Sequence, residues 1–161
     1  MDVETLQSVL PSHVELLIGD VRENMDALLA RLSETSPIGF VSFDLDYYSS
    51  TKSAFDLLLA QPNLFLPLAY LYFDDITLPN HNSYCGELLA IREFNEEQSL
   101  RKIEYHKFLE NSRIFRKAKW IKQIYFLHVL DHPTRNDFSV RETKQYIANP
   151  YLEPGKNEKF L

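Results

Sequence analysis

Two pairs of aspartates stand where apolar runs of the chain end. Asp44 and Asp46 close one run, and Asp74 and Asp75 close the next. Carboxylate oxygens are the ligands that hard cations such as Mg²⁺, Mn²⁺ and Ca²⁺ prefer. Four such charges at one place would repel one another unless protons or a cation relieve them. The pattern therefore predicts an acidic site that binds a divalent cation.

The elements around these pairs are expected to bring them together. The runs 38–46 and 68–75 have the composition of strands, and a helical pattern that ends near Leu59 lies between them. Ser49 to Thr51 are residue types that cap a helix. A strand–helix–strand order implies two parallel strands, about 4.8 Å apart, with ligands bound beyond their carboxyl ends. All four aspartates would then lie at one edge of a sheet.

The rest of the chain extends this order to β-α-β-α-β-α-β-β. Further helices are predicted at 2–10, 21–33 and 86–97, and further strands at 13–20, 102–109 and 123–130. The order predicts an α/β fold, with a mostly parallel sheet, helices on both faces and a C-terminal antiparallel hairpin. We expect a single domain over 1–135, followed by a polar C-terminal tail over 136–161 with a weak helical pattern near 140–147.

Composition narrows the class of protein. The chain has 161 residues, of which 45% are hydrophobic and 25% charged, and its net charge is −6. An acidic chain of this kind argues against nucleic acid as a partner. Cys85 is the single cysteine, so no internal disulfide forms, which fits a cytoplasmic protein. The chain has no signal-peptide pattern and no apolar run of about 18 residues, so no membrane association is expected.

Four segments carry a resemblance to a known family: LLIGDVRENM, FVSFDLDYYSSTKSAFDLL, YLYFDDI and GELLAIREFN. Together they resemble the C-terminal two-thirds of a class I S-adenosylmethionine-dependent methyltransferase. The nearest group is the metal-dependent O-methyltransferases of the macrocin type. The likeness extends over roughly residues 13 to 130. It implies a Rossmann-like sheet of the class I methyltransferase type.

The resemblance also implies roles for individual residues. It places Asp20, at the end of a Gly-Asp strand, beside the adenine of S-adenosylmethionine. It makes Asp44, Asp74 and Asp75 the ligands of a divalent cation such as Mg²⁺, with Asp44 and Asp46 as the catalytic acids beside the substrate. The substrate implied is a small molecule with a hydroxyl group that receives the methyl group.

One departure from the family matters for function. The family's first strand, Gly-rich turn and ribose-binding acid come before the Gly-Asp strand, whereas only twelve residues precede His13 here. The chain has four glycines, and they form no Gly-rich turn. We therefore expect a chain that lacks the N-terminal cofactor half and is inactive by itself. Strand edges left without their family partners favour a homodimer.

Several of these residues have a second interpretation that needs no ligand. Asp20 is also a suitable N-cap for the helix that follows it. His81 lies in a polar loop after the second aspartate pair, where it is either a base or metal ligand or a solvated side chain. Glu87 opens a helix, where the dipole favours a carboxylate, and it could also face the acidic edge. His128 and His132 are predicted to be structural.

A basic stretch follows the predicted strand at 102–109. It holds an anionic ligand or forms a solvated face, and its members are Arg113, Arg116, Lys117, Lys119 and Lys122.

Two functions outside active methyl transfer also remain open. The chain could be a non-catalytic methyltransferase remnant that serves as a binding or assembly module, which the absence of a Gly-rich turn favours. An Asp-x-Asp after an apolar strand also occurs in aspartyl-phosphate enzymes, in which Asp44 would be the nucleophile. The sequence provides no downstream strand-end lysine for that second reading.

Overall fold

The computed structural model describes residues 2–112, 114 and 117–137. Arg113, Arg116 and the predicted polar tail from 138 onward, with its weak helical pattern, lie outside the described residues. The strands are β1 (Ile38–Phe43), β2 (Phe65–Phe73), β3 (Arg101–Tyr105) and β4 (Ile124–Val129). The α-helices are α1 (Val3–Val9), α2 (Val21–Leu29), α3 (Tyr48–Ala54), α4 (Gly86–Glu97), α5 (Leu109–Ser112), α6 (Lys119–Lys122) and α7 (Pro133–Asn136). Short 3-10 helices cover Phe55–Leu59, Pro62–Leu64 and Asp75–Thr77.

The four strands form one mixed sheet in the order β1-β2-β4-β3. β1 and β2 are parallel, and β4 is antiparallel to both of its neighbours, β2 and β3. Three strands therefore run in one direction, and β4 lies between two of them in the opposite direction. The fold is α/β with a mixed sheet: the predicted C-terminal antiparallel pair is present, but only the β1–β2 pair of the described strands is parallel, so the prediction of a mostly parallel sheet is not confirmed.

The core lies on one face of this sheet. Along β2 the side chains alternate, so that Ala69, Leu71 and Phe73 are fully buried beneath α3, α4 and the 3-10 helix that follows α3. The side chains of the opposite face are 39–45% exposed at Leu68 and Tyr70. The described helices thus cover one face of the sheet, and the prediction of helices on both faces is wrong for this part of the chain.

The predicted strand at 13–20 is also wrong, because these residues pair with no strand. Gly19 has a φ of +132°, which interrupts an extended backbone, and Asp20 begins the cap of α2. The segment instead contacts α2 and the turn after it: Asn24 of α2 donates to the Ile18 carbonyl at 3.3 Å, and Arg31, just past the helix, forms an ion pair with Glu15 at 2.8 Å. A strand needs a hydrogen-bonded neighbour, and within the described residues the outer edge of β1 has none.

The helix after β1 begins earlier than its capping residues predict. α3 starts at Tyr48, with Tyr47 as its N-cap, so Ser49 to Thr51 lie inside the helix. The Thr51 hydroxyl is buried and donates to the Tyr47 carbonyl at 3.2 Å. This bond satisfies a hydroxyl that could otherwise not be buried in the core.

Candidate functional site

Paired phenylalanines place the two aspartate pairs at the same edge of the sheet. Phe43 and Phe73 are the last partners of the β1–β2 pair, and their rings stack with centroids 5.0 Å apart. The backbone N–H of Asp74 donates to the Phe43 carbonyl at 3.1 Å, which continues the pairing one residue past both strands. Asp44 and Asp74 therefore leave the sheet side by side, as predicted, and both are exposed.

Two polar side chains hold Asp74. The Tyr72 hydroxyl donates to its Oδ1 at 2.8 Å. The amide of Gln123, a residue only 5% exposed, donates to its backbone carbonyl at 2.5 Å and to Oδ1 at 3.3 Å. Neither residue was identified as a site residue from the sequence. The available signals were the Tyr-x-Asp spacing and the polar residue at the start of the 123–130 apolar run.

Asp75 turns inward and meets Glu87, which is fully buried in the first turn of α4. The backbone N–H of Asp75 donates to Glu87 Oε2 at 3.2 Å. Among the described residues, Asp75 Oδ2 and Glu87 Oε1 are both buried without a hydrogen-bond partner. Such orphaned oxygens are costly, and they are unusual in native interiors. The possibility that Glu87 faces the acidic edge is thus realised.

Several carboxyl groups lie close together at this edge, where burial and their mutual repulsion raise the pKa of Asp75 and of Glu87. The pKa of Glu87 is raised to about 8, mainly by burial; the Asp75 N–H lowers it, and the neighbouring carboxylates of Asp75, Asp74 and Asp44 contribute to the rise. Burial also raises the pKa of Asp75, with a contribution from Asp46. All four predicted aspartates therefore act on the same small region.

His81 lies against this region. Its imidazole lowers the pKa of Asp75, although burial and Asp46 have the larger, opposite effect. A Cβ on Gly86, whose φ is +60°, would stand 2.9 Å from His81 Nδ1, so glycine leaves the space that the ring occupies. Within the described part of the chain, that Nδ1 is buried without a hydrogen-bond partner. His81 is thus packed at the site rather than simply solvated.

The donor set has the chemistry of a site for a hard cation, since it consists of carboxylate oxygens, two of them buried and unpartnered. Its geometry is less complete. Among the described residues, no group of three or more His, Cys, Asp or Glu side chains is placed to hold a metal ion. Asp44 and Asp46 are exposed, whereas Asp75 and Glu87 are buried. A cation would have to draw the exposed carboxylates inward as it binds.

Asp20 occupies a different place. Its carboxylate accepts from the backbone N–H of Arg22 at 2.9 Å and from the Arg22 side chain at 3.0 and 2.7 Å. These contacts hold the pKa of Asp20 at about 2. Asp20 is the N-cap of α2, as its second interpretation predicts, and both of its carboxylate oxygens are engaged with Arg22.

A cleft opens beyond the carboxyl ends of β2 and β3. It has a volume of about 660 Å³. Its lining residues are Ile76, Thr77, Leu78, His81, Leu88, Tyr105, Glu110, Lys117, Ala118, Lys119, Lys122 and Tyr125. His81 therefore belongs both to the surroundings of Asp75 and to the cleft. The three described lysines of the predicted basic stretch also line it.

The other two histidines singled out from the sequence make local contacts. His128 Nε2 lies 3.4 Å from Glu104 Oε2. His132 is the N-cap of α7, and its Nδ1 accepts from the Thr134 N–H at 3.1 Å.

Comparisons with protein-family models, with curated proteins and with solved structures found no match. Among the described helices, none has the length and apolar character needed to cross a membrane. The functional argument therefore depends on the residues and geometry of the carboxyl edge.

Proposed function

We propose that this chain carries the cation and acceptor side of a metal-assisted, S-adenosylmethionine-dependent O-methyltransferase, or of a fragment of one. The acceptor is a small molecule with a hydroxyl group. The cation ligands are Asp44, Asp74 and Asp75, and Asp46 supports them as a second acid beside Asp44. A bound cation would hold the acceptor hydroxyl and make it more acidic.

The observation that supports this proposal most is the contact of Asp75, which follows the end of β2, with Glu87 of α4, at the edge where the parallel strands β1 and β2 end. Two buried carboxyl groups with unpartnered oxygens, next to three further carboxylates, form a site that a cation would stabilise. The sheet supports it as well. The direction of β4, opposite to β2 and β3, agrees with the C-terminal antiparallel hairpin that the order of the elements predicts.

Thermal unfolding with and without metal tests the proposal. Millimolar Mn²⁺ or Mg²⁺ should raise the melting temperature of the wild-type chain, since a ligand at 100 times its Kd stabilises the folded state by about 2.7 kcal/mol. The variant Asp75→Asn should lose most of this response and be more stable without metal, because one repelling charge is removed. The matched control is Asp56→Asn, at an exposed aspartate on the 3-10 helix after α3.

An unchanged melting temperature of the wild-type chain in metal would refute the cation site. So would an equal metal response in Asp75→Asn and wild type.

A second candidate is a non-catalytic remnant of the same fold that serves as a binding or assembly module. It is favoured by Asp20, whose carboxylate is occupied by Arg22 rather than open to an adenine. A remnant should show no heat of binding with either metal or S-adenosylmethionine in calorimetry. Metal binding alone would favour the first candidate.

A further inference from the structure

We propose that the cleft at the carboxyl edge binds the phosphate group of a small hydroxylated molecule through Lys117, Lys119 and Lys122. The proposal builds on the proposed function, because it assigns the acceptor to the class of phosphorylated hydroxy compounds. The anion site itself can nevertheless be tested without metal or cofactor.

The first argument is the location of the cleft. It lies beyond the carboxyl ends of β2 and β3, where α/β sheets bind their ligands. Its volume of about 660 Å³ is in the range that holds a small molecule. His81, on its lining, also acts on the pKa of Asp75, so a ligand in the cleft would extend toward the acidic edge.

The second argument is charge. The lining carries three lysines against one carboxylate, Glu110, in a chain whose net charge is −6. Within residues 2–112, 114 and 117–137, none of these lysines forms an ion pair, whereas Lys52 and Lys107 both do. A single carboxylate ligand would neutralise only one of the three ammonium groups. A phosphate, with close to two negative charges and three oxygens, matches them better.

The third argument concerns the hydrogen-bond donors that remain. Tyr105 and Tyr125 lie on the same lining, with ring centroids 5.5 Å apart. Burial raises the pKa of Tyr125 to about 12, and burial followed by Glu110 raises the pKa of Tyr105. Both phenols therefore keep their protons at neutral pH. They can donate to the hydroxyl or phosphate oxygens of a ligand whose charge is held by the lysines.

Calorimetry on the full chain in the presence of a metal chelator tests this site, with inorganic phosphate and glucose 1-phosphate as probes and glucose as the neutral control. We expect saturable binding of both phosphates, tighter for glucose 1-phosphate, and none of glucose. The double variant Lys119→Gln with Lys122→Gln should weaken binding by about tenfold, because two charge-assisted contacts are lost. Lys107→Gln, an exposed lysine outside the cleft, should bind as the wild type does.

Several outcomes would overturn the proposal. One is a wild-type chain that shows no saturable phosphate binding, and another is a double variant that binds phosphate as tightly as the wild type. A third is a Lys107→Gln chain that loses as much phosphate affinity as the double variant does. Equal affinity for the two phosphates would overturn the hydroxylated ligand. Circular dichroism of the double variant checks that it folds, and the single variant Lys122→Gln repeats the test if it does not. If the chain binds phosphate but metal does not change its melting temperature, the anion site stands and the proposed function fails. If metal raises the melting temperature but phosphate does not bind, the proposed function stands and the anion site fails.

Discussion

At the scale of single residues, Glu87 is the clearest sign that this sheet edge is more than a set of helix caps. A carboxylate in the first turn of a helix is ordinarily favoured by the dipole and by water. Glu87 is in the first turn of α4 but has no access to water, and among the described residues its Oε2 accepts only the N–H of Asp75. Burial raises the pKa of Glu87 most, and the nearby carboxylates of Asp75, Asp74 and Asp44 raise it as well. The position is therefore costly when Glu87 is ionised.

This cost predicts a pH dependence of stability. The pKa of Glu87 is about 8 in the folded chain and 4.5 as the reference value, so the folded state binds the proton more tightly. The stabilisation that the bound proton of Glu87 contributes is then fully present below about pH 4.5 and is lost as the pH rises through about 8. We expect the wild-type chain in chelator to be about 3 kcal/mol less stable at pH 8.5 than at pH 5.5, at about 1.4 kcal/mol per pKa unit.

The variant Glu87→Gln should remove most of that difference, since the amide stays neutral across this range. Urea unfolding at the two pH values measures it. Glu96→Gln, at an exposed position on the same helix, is the control, and its unfolding free energy should change between the two pH values as much as that of the wild type. If the unfolding free energy of Glu87→Gln changes with pH as much as that of the wild type, groups other than Glu87 cause the pH dependence.

At the scale of elements, and within residues 2–112, 114 and 117–137, one face of the sheet is partly exposed and the outer edge of β1 is unpaired. Phe40 of β1 pairs with Tyr70 of β2, and both side chains point away from the core, 57% and 45% exposed. Leu68, on the same face, is 39% exposed. β1 itself, with the sequence IGFVSF, has neither a charge nor a proline to discourage pairing at its edge. Apolar surface of this kind is a typical site of association.

We therefore expect the chain to form a homodimer through this surface. Light scattering across micromolar concentrations should show a dimer for the wild type and a shift toward monomer for Phe40→Lys. Leu100→Lys replaces an apolar residue of similar exposure, 51%, that lies outside β1 and β2, and it should remain dimeric. A wild-type chain that stays monomeric throughout would contradict the expectation.

At the scale of the whole molecule, the acidic edge and the cleft lie at the same edge of the sheet, and the described residues form no Gly-rich turn beside them. Binding of a dinucleotide-like cofactor needs a close backbone approach, which a Gly-rich turn allows. Of the three glycines in the described part of the chain, Gly19 and Gly86 have a positive φ, and they lie far apart in sequence, Gly19 just before the N-cap of α2 and Gly86 at the start of α4. Gly86 is moreover packed against His81.

We accordingly predict that this 161-residue chain does not bind S-adenosylmethionine with micromolar affinity. One charge-assisted hydrogen bond from Asp20 would contribute about 1–3 kcal/mol. Micromolar affinity requires roughly 8 kcal/mol. Calorimetry with the purified chain is the direct measurement, and Asp20→Asn serves as the matched variant. A Kd in the low micromolar range that weakens in Asp20→Asn would show that Asp20 does serve a cofactor site.

The sequence by itself determined the local elements and the position of the acids. Helical periodicity predicted α4 over 86–97, as the structure has it, and the apolar runs predicted β2 and β4 to within a few residues. The order of strand, helix and strand was enough to place Asp44 and Asp74 at one edge, because a crossover connection makes the two strands parallel. These features depend on residues close together in the chain.

Only the tertiary structure decided which distant groups meet. The run at 13–20 has a strand-like composition, yet it forms no strand, because a strand depends on a partner that composition does not specify. Glu87 and Gln123 reach the two aspartates from 12 and 49 residues away. The lysines of the 113–122 stretch line a cleft because β4 runs back between β2 and β3 and brings its start to the carboxyl edge. Such contacts follow from the long-range pairing of the sheet, and local periodicity carries no information about them.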